Sequence, residues 1–195
     1  MTRWAVFDLN GTLLDPSGVG TEALDGAILA SMTLNHAGEY RPFADLIAAA
    51  GGDPSQPMPA FPEAAAALDV LADAGFALAV LSNSMTATAE AGLRAAGLRD
   101  RFAHVVGTDQ AGVFKPDARV YRTGLAAIGA EPAEATMVAA HWWDLRGARA
   151  VGMRVAWVGH REGRLTPLLP DPDASGAGLL ETAMMLAGQP TEEAR

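Results

Sequence analysis

The chain has 195 residues, of which 50% are hydrophobic, and this suits a single domain with at most a small insertion. Its formal net charge of −9, from 14 basic and 23 acidic residues, argues against nucleic-acid binding, and the absence of cysteine excludes disulfides and thiol nucleophiles. No apolar stretch approaches the ~18 residues of a membrane span or has the features of a signal peptide. We therefore expect a cytoplasmic protein without a membrane or nucleic-acid partner.

The first predicted strand runs from Trp4 to Phe7 and ends abruptly at a carboxylate, Asp8. The turn residues Gly11 and Thr12 follow shortly afterwards. A short apolar run that stops at an acid and a turn is typical of a buried strand that presents the acid at its carboxyl end. Asp8 is therefore the first candidate functional residue.

A segment without strand-like runs, residues 16–59, comes next in the chain. It contains two helix-like pieces, at about 21–33 and 42–50, and ends in a Gly-Gly-Asp-Pro break and a proline-containing linker. We interpret the segment as a small helical insertion after the first strand. The core would then consist of residues 1–15 and 60–195.

Helix-like and strand-like segments alternate after residue 60. Three helix-like segments, 62–74, 86–96 and 145–151, each end at a glycine, and a β-rich run follows each of them. The runs at 77–81, 136–140 and 155–158 are almost continuously apolar, which is typical of parallel strands buried on both faces. The sequence therefore predicts an α/β fold with a doubly wound parallel sheet.

Polar side chains follow the predicted strands at their carboxyl ends, where open α/β sheets have their active sites. The only lysine of the chain lies on the loop that opens the helix after Pro116. The candidates are, in chain order, Asp8, Thr12, Ser82, Asn83, Lys115, His141 and Asp144. Each of them alone is an ordinary strand-end residue, but their convergence on one edge indicates a site.

The candidates favour covalent catalysis by the carboxylate of Asp8. A carboxylate nucleophile must be ionised, and the ammonium of Lys115 favours the ionised form. Asp144 can anchor the lysine or bind a metal, and His141 can activate water to hydrolyse an aspartyl ester. A structural histidine on a loop is an equally good interpretation of His141.

The remaining three polar candidates are hydrogen-bonding residues. Thr12, Ser82 and Asn83 can hold either the nucleophile or an anionic small-molecule substrate.

Four motifs resemble those of the haloacid dehalogenase superfamily, and the likeness covers nearly the whole chain. They are Asp8-Leu9-Asn10-Gly11-Thr12, Leu81-Ser82-Asn83, Lys115-Pro116 and the acid Asp144. The resemblance implies a Rossmann-like core with a cap inserted after the first motif, where residues 16–59 fall. It also implies that Asp8 is the nucleophile.

Within the superfamily, the closer likeness is to the type II branch, the L-2-haloacid dehalogenases. This likeness comes from Ser82-Asn83, from Val113-Phe114-Lys115-Pro116-Asp117 with Tyr121, and from Trp143-Asp144 with Gly147-Ala148. The branch implies that no metal or other cofactor is required and that a homodimer is possible. Our candidate substrate-binding residues include Thr12, Asn10, Ser82, Asn83 and Tyr121.

Asn10 stands where phosphatases of the superfamily carry an Asp that protonates the leaving alcohol. A halide leaves without a proton, so Asn10 favours hydrolytic dehalogenation of a small 2-haloacid. The first alternative is a Mg²⁺-dependent phosphatase, in which Asp8, the backbone carbonyl of Asn10 and Asp144 would hold the metal. The second alternative is a vestigial binding protein without catalysis.

Three departures from the branch motivate that last alternative. Ala139 and His141 replace a Ser-x-Asn pair, so His141 has to take over the contacts to water. The branch has an arginine early in the cap, near Leu24 in this chain, whereas the only lysine or arginine between residues 11 and 84 is Arg41. Arg41 is the candidate substitute, although a solvated residue at the start of a helix is an equally good interpretation of it. The third departure is a cap that is shorter than usual.

Overall fold

Six parallel strands form one sheet in the computed structural model, which describes residues 2–169 and 171–188. The strands are β1 (Arg3–Phe7), β2 (Phe76–Ser82), β3 (His104–Gly107), β4 (Ala135–Ala139), β5 (Arg154–Val158) and β6 (Ala174–Gly176). Their spatial order is β3-β2-β1-β4-β5-β6. The strand order reverses beside β1, as it does in Rossmann-like sheets, and this confirms the predicted fold class.

The strands alternate their side chains between two apolar layers, because successive residues of a strand point to opposite faces. Ala5 and Phe7 of β1 pack into one layer, and Trp4 and Val6 pack into the other. The helices are α1 (Thr21–Ala37), α2 (Phe43–Ala49), α3 (Ala64–Asp73), α4 (Thr86–Ala95), α5 (Ala118–Ile128), α6 (Trp142–Ala150) and α7 (Leu179–Ala187). Buried residues of α3, α4 and α7 fill the first layer, and those of α5 and α6 fill the second.

The helix and strand bounds differ from the prediction at several points. Helix α6 begins at Trp142, three residues before its predicted start, so Asp144 lies in the first turn of a helix and not on a loop. His141, the residue before Trp142, forms no side-chain hydrogen bond that caps the helix. The sequence therefore has no capping signal at the true start of α6. Helix α1 runs to Ala37 and ends at Gly38 with φ of 73°. The edge strand β6 was not predicted.

The insertion between β1 and β2 is a helical hairpin formed by α1 and α2, and it lies over the carboxyl ends of the strands. Its apolar side chains pack around Phe114, which is fully buried. The side chain of Asn35 donates to the carbonyl oxygen of Phe114 at 2.7 Å and accepts from its N–H at 2.9 Å. The division into a core of residues 1–15 and 60–195 and a cap of residues 16–59 stays a prediction.

A helix that crosses a bilayer must be both long and apolar. Within residues 2–169 and 171–188, no helix combines these two properties.

Candidate active site

Asp8 lies directly after β1, at the point in the sheet where the strand order reverses. Its N–H donates to the carbonyl oxygen of Val138 at 3.0 Å, which fixes the residue against β4. Thr12 Oγ1 donates to Asp8 Oδ2 at 2.8 Å and accepts from the N–H of Ala140 at 2.9 Å. The intervening Gly11 has φ of 82°, and a Cβ on it would lie 3.0 Å from Cε1 of His141. The turn therefore requires glycine.

Lys115 is fully buried, and its ammonium lies between two carboxylates. Its Nζ donates to Asp8 Oδ1 at 3.1 Å and to Asp144 Oδ2 at 2.7 Å. Its backbone N–H donates to Asn83 Oδ1 at 2.9 Å, which ties the lysine loop to the loop after β2. A buried ammonium needs such partners, because its desolvation is costly. The structure thus brings the predicted Asp8, Lys115 and Asp144 together.

The charges of this group set its protonation. Burial by itself raises the pKa of Asp8, but the Lys115 ammonium and the hydrogen bonds from His141 and Thr12 outweigh it and hold that pKa well below its ordinary value. Burial lowers the pKa of Lys115, but the charges of Asp144 and Asp8 outweigh burial and raise it. Asp8 is therefore an ionised carboxylate beside a permanent ammonium, as a carboxylate nucleophile requires.

Tyr121 lies behind Asp144 and does not line the pocket at Asp8. Its hydroxyl donates to Asp144 Oδ1 at 2.7 Å, and burial raises the pKa of Tyr121 well above its ordinary value of 10.0. A Cβ on Gly147 would lie 2.5 Å from this hydroxyl, so the glycine makes room for the contact. The structure thus places Tyr121 against Asp144, where α5 and α6 pack against each other, and the substrate contact of Tyr121 stays a prediction.

The loop after β2 supplies a short chain of hydrogen bonds near the nucleophile. Ser82 Oγ accepts from the N–H of Ser84 at 3.1 Å, and Asn10 Nδ2 donates to Ser84 Oγ at 3.1 Å. Ser82, Asn83 and Asn10 all line the pocket, as predicted substrate-binding residues should. The sequence analysis missed Ser84, although its place directly after Ser82-Asn83 was a usable signal.

His141 contacts Asp8 with one ring nitrogen, and its other ring nitrogen has no hydrogen-bond partner among the described residues. Its Nδ1 lies 3.2 Å from Asp8 Oδ2. Because an ionised carboxylate only accepts hydrogen bonds, Nδ1 carries a proton, and in the neutral form of the imidazole Nε2 then carries the lone pair. Among the described residues, no group hydrogen-bonds this buried Nε2. An unpaired basic nitrogen close to the nucleophile can take a proton from a water molecule.

The helical hairpin closes the space over Asp8. The pocket that remains has a volume of about 10 Å³, which is close to the space for a single water molecule. Its lining is Asp8, Asn10, Leu24, Ile28, Phe43, Ser82, Asn83, His141 and Trp143. The apolar side chains from the hairpin and from Trp143 cover Asp8, which is buried. A separate groove of about 360 Å³ lies on the other side of Asn10, between α2 and α4.

The structure does not bring Arg41 to this pocket. Arg41 is exposed and lines an outer groove together with Gly26 and Leu29 of α1. The residues of α1 that line the pocket at Asp8 are Leu24 and Ile28, which lie on the opposite face of the same helix. The structure therefore places Arg41, which lies between α1 and α2, away from Asp8, and its substrate contact stays a prediction.

A different arginine, Arg161, lies beside the pocket and was missed by the sequence analysis. It follows β5, its side chain is 13% exposed, and it forms an ion pair with Asp25 of α1. Its Cδ lies 3.5 Å from the position of a Cβ on Gly11. The predicted strand at 155–158 was a usable signal, because the same carboxyl-end rule that selected Asp8 points to the residues after it.

Comparison with known proteins identifies the family. The model of the haloacid dehalogenase-like hydrolases matches residues 55–152, about half of the chain. The chain belongs to the haloacid dehalogenase-like hydrolases. The match includes the loop after β2, the lysine loop and the start of α6, which carry Asn83, Lys115 and Asp144.

Curated relatives in this family include dehalogenases and a phosphatase. A phosphoserine phosphatase of Thermus thermophilus is 40% identical over 118 residues, which are 60% of this chain and 45% of the relative. An (S)-2-haloacid dehalogenase of Pseudomonas sp. (strain YL) is 37% identical over 98 residues, 50% of this chain and 42% of the relative. A haloacetate dehalogenase H-2 of Moraxella sp. is 35% identical, over 50% and 44% respectively. The chain thus spans less than half the length of these curated relatives.

Solved structures match over almost the whole chain. A crystal structure of a dehalogenase has a TM-score of 0.83 at 26% identity and covers 96% of this chain and 98% of its own. The L-2-haloacid dehalogenase of Xanthobacter autotrophicus also gives 0.83, at 23% identity, with 97% and 100% covered, and it shows the shared fold. Together with the curated relatives, these matches confirm the resemblance to the type II branch.

Proposed function

We propose that this hydrolase cleaves the carbon–halogen bond of a small 2-haloacid, with Asp8 as the nucleophile. The observation that carries the proposal is Asn10, whose side chain donates to Ser84 Oγ at 3.1 Å. An amide in this place cannot protonate a leaving group, and a halide is a leaving group that needs no proton. The curated dehalogenase relatives support the same chemistry.

In the first step, an oxygen of Asp8 attacks the α-carbon of the haloacid. The carbon–halogen bond breaks, its electron pair leaves with the halide, and an ester forms on Asp8. Oδ2 accepts from Thr12 and lies against His141, whereas Oδ1 accepts from Lys115. We therefore assign the attack to Oδ1, which has fewer partners. The dry pocket favours the step, because a desolvated carboxylate is a stronger nucleophile.

In the second step, water attacks the carbonyl carbon of the Asp8 ester. His141 Nε2 takes a proton from this water, and the negative charge of the tetrahedral intermediate develops on Oδ2, where the Thr12 hydroxyl and the Nδ1–H of His141 stabilise it. The bond between the carbonyl carbon and the ester oxygen, which lies beside the Lys115 ammonium, then breaks. The departing oxygen takes the proton held by His141, and the proton left on the Asp8 carboxyl goes to solvent. The products are the 2-hydroxy acid and a regenerated Asp8 carboxylate that contains one oxygen from water.

The decisive experiment is a single turnover of L-2-chloropropionate in H₂¹⁸O, followed by mass spectrometry of the peptide that contains Asp8. We expect label in Asp8 and unlabelled lactate. Labelled lactate with an unlabelled Asp8 would overturn the covalent mechanism. The variant Asp8→Asn serves as the control and should form neither adduct nor product.

The substrate class is tested with a panel of short 2-haloacids, measured by halide release. A binding protein without catalysis would give neither halide nor a trapped adduct on Asp8, and this result would overturn the proposal. His141→Gln should accumulate the ester, because it removes the base of the second step and leaves the first intact. A burst of halide followed by slow turnover is the expected signature.

A Mg²⁺-dependent phosphatase is the second candidate, favoured by the 40% identity with the phosphoserine phosphatase of Thermus thermophilus. The donor set fits it poorly. The ammonium of Lys115 already neutralises the two carboxylates that would hold Mg²⁺, Asp8 and Asp144, and both oxygens of Asp144 accept hydrogen bonds, from Lys115 and Tyr121. We therefore derive no step through a metal.

The two candidates are separated by the variant Asn10→Asp. A phosphatase should gain at least about tenfold in the hydrolysis of aryl phosphates with Mg²⁺, because the acid restores protonation of the leaving group. A dehalogenase should show no such gain and should release halide more slowly, because a second negative charge then lies near Asp8.

A further inference from the structure

When an anionic substrate binds, the pocket needs more positive charge than Lys115 alone supplies. One ammonium serves two carboxylates, those of Asp8 and Asp144, at 3.1 Å and 2.7 Å. A 2-haloacid brings another negative charge into this dry space, and an unpaired charge there is strongly disfavoured. An anionic substrate therefore needs a further cation beside the pocket.

Arg161 is positioned to supply that cation. Its Cδ lies 3.5 Å from a Cβ built on Gly11, and Nε2 of His141 lies 3.3 Å from the same point. The loop that carries it is anchored, because Nε2 of His160 lies 3.0 Å from the carbonyl oxygen of Gly11 and the N–H of Gly159 donates to the carbonyl oxygen of Gly176 at 2.8 Å. The arginine thus approaches the nucleophile loop from the side of the pocket that the unpaired His141 nitrogen occupies.

The present partner of Arg161 is a carboxylate from the helical hairpin. Asp25 lies next to Leu24, which lines the pocket, and the two side chains of the ion pair differ in exposure: 13% for Arg161 and 61% for Asp25. An exposed carboxylate loses little when it returns to water. Another carboxylate can therefore replace Asp25, while the guanidinium stays in place.

We propose that Arg161 binds the carboxylate of the substrate and that Asp25 occupies its guanidinium in the substrate-free protein. This assignment rests on the proposed function and narrows its substrates to acids with one carboxylate, which lies beside the reacting carbon. A guanidinium binds a carboxylate through two parallel hydrogen bonds, which fixes the orientation of the acid. The same exchange releases α1 from the loop after β5, and a pocket of about 10 Å³ has to expand before a haloacid enters it.

The kinetic test compares L-2-chloropropionate with its uncharged amide. Arg161→Gln should raise the KM of the acid by about 10- to 100-fold, as expected for the loss of a charged hydrogen bond, and leave the kinetics of the amide within about twofold. Arg161→Lys should lie between these values. Arg164→Gln is the matched control, because Arg164 is exposed on the same loop, and should behave as wild type.

A binding measurement separates this inference from the proposed function. Propionate cannot lose a halide, and its Kd from calorimetry should rise in Arg161→Gln and fall in Asp25→Asn. If no haloacid releases halide but these shifts occur, the proposed function fails and the assignment of Arg161 stands. If halide is released and both variants bind propionate as wild type does, the assignment of Arg161 is overturned. Should Arg161→Gln fail to fold, Asp25→Asn alone decides, since unchanged binding in it contradicts the exchange.

Discussion

The strand-end rim, formed by Asp8, Lys115 and Asp144, and the helical hairpin face each other across the pocket, but different forces hold them. The rim is a buried set of charges in which each oxygen and the ammonium have short hydrogen bonds. The hairpin contributes apolar side chains such as Leu24 and Phe43 and has only scattered polar ties to the core in the described structure. We therefore expect the rim to determine whether the proposed chemistry occurs and the hairpin to determine which molecules reach Asp8.

The strongest test of this contrast is Lys115→Met, which removes the ammonium and leaves two buried carboxylates without it. Breaking a buried ion pair in this way typically costs about 3–5 kcal/mol of unfolding free energy. We expect a loss of this size in urea denaturation, together with loss of halide release. The control is Arg119→Gln, which breaks a pair with Asp117 in which the arginine is 61% exposed, and should cost less than about 1 kcal/mol. Equal losses of unfolding free energy in the two variants would show that the buried charges of the rim contribute no more to stability than an exposed ion pair.

The pH dependence of ester formation sharpens the same point. Burial raises the pKa of Asp8, but Lys115, His141 and Thr12 hold it below its ordinary value of 3.8. The single-turnover rate should therefore stay constant from neutral pH down to about pH 5 and fall only below 3.8. Because the folded-state pKa is depressed, ionised Asp8 also stabilises the fold above that pH, and this contribution is lost as the pH falls through the folded-state value.

The variant Lys115→Met supplies the comparison for this profile. With the ammonium gone, burial dominates, the pKa of Asp8 rises, and the acid limb of any residual rate should move to higher pH. Stopped-flow measurement of adduct formation between pH 3 and 8 gives both curves. A wild-type acid limb centred well above pH 5 would show that Asp8 is not ionised in the way the structure requires.

A smaller effect is expected behind the rim, at Gly147. A Cβ there would lie 2.5 Å from the hydroxyl of Tyr121, so Gly147→Ala should displace the tyrosine from Asp144 and cost about 1–3 kcal/mol, as overpacking does. The matched control is Gly92→Ala in α4, where the Cβ would meet Leu14 at an ordinary 3.4 Å. That variant should be neutral or stabilised by up to about 1 kcal/mol. Thermal unfolding of both variants decides, and a neutral Gly147→Ala would mean that the position of Tyr121 matters little.

The rim was predictable from sequence for a physical reason. Parallel strands place their carboxyl ends at one edge, so the residues after each apolar run converge whatever the loops between them do. Asp8, Asn83 and Lys115 were found in this way, and they form direct contacts in the structure. Asp144 was also found, although the helix that carries it begins earlier than predicted.

The hairpin side of the site was not predictable in the same way. Arg41 was chosen because it is the only lysine or arginine between residues 11 and 84. The surface to which Arg41 points depends on how α1 and α2 pack, and a rule about strand ends does not specify this packing. Arg161 contacts Asp25 across 136 positions of sequence, so no local pattern links them. Tyr121 was assigned to the substrate because sequence spacing does not reveal on which side of Asp144 its hydroxyl lies.

The smallest effect is expected in the hairpin, at Asn35. Its side chain holds both backbone groups of Phe114, at 2.7 Å and 2.9 Å, and Asn35→Ala should cost about 1–2 kcal/mol for the two hydrogen bonds. Because these bonds secure the hairpin and not the charges, we expect a higher KM for the haloacid with kcat nearly unchanged. Thr33→Ala is the control, since its hydroxyl bonds only to Leu29 of its own helix. A fall in kcat as large as that of a rim variant would show that the hairpin takes part in the chemistry and would remove the distinction between the two regions.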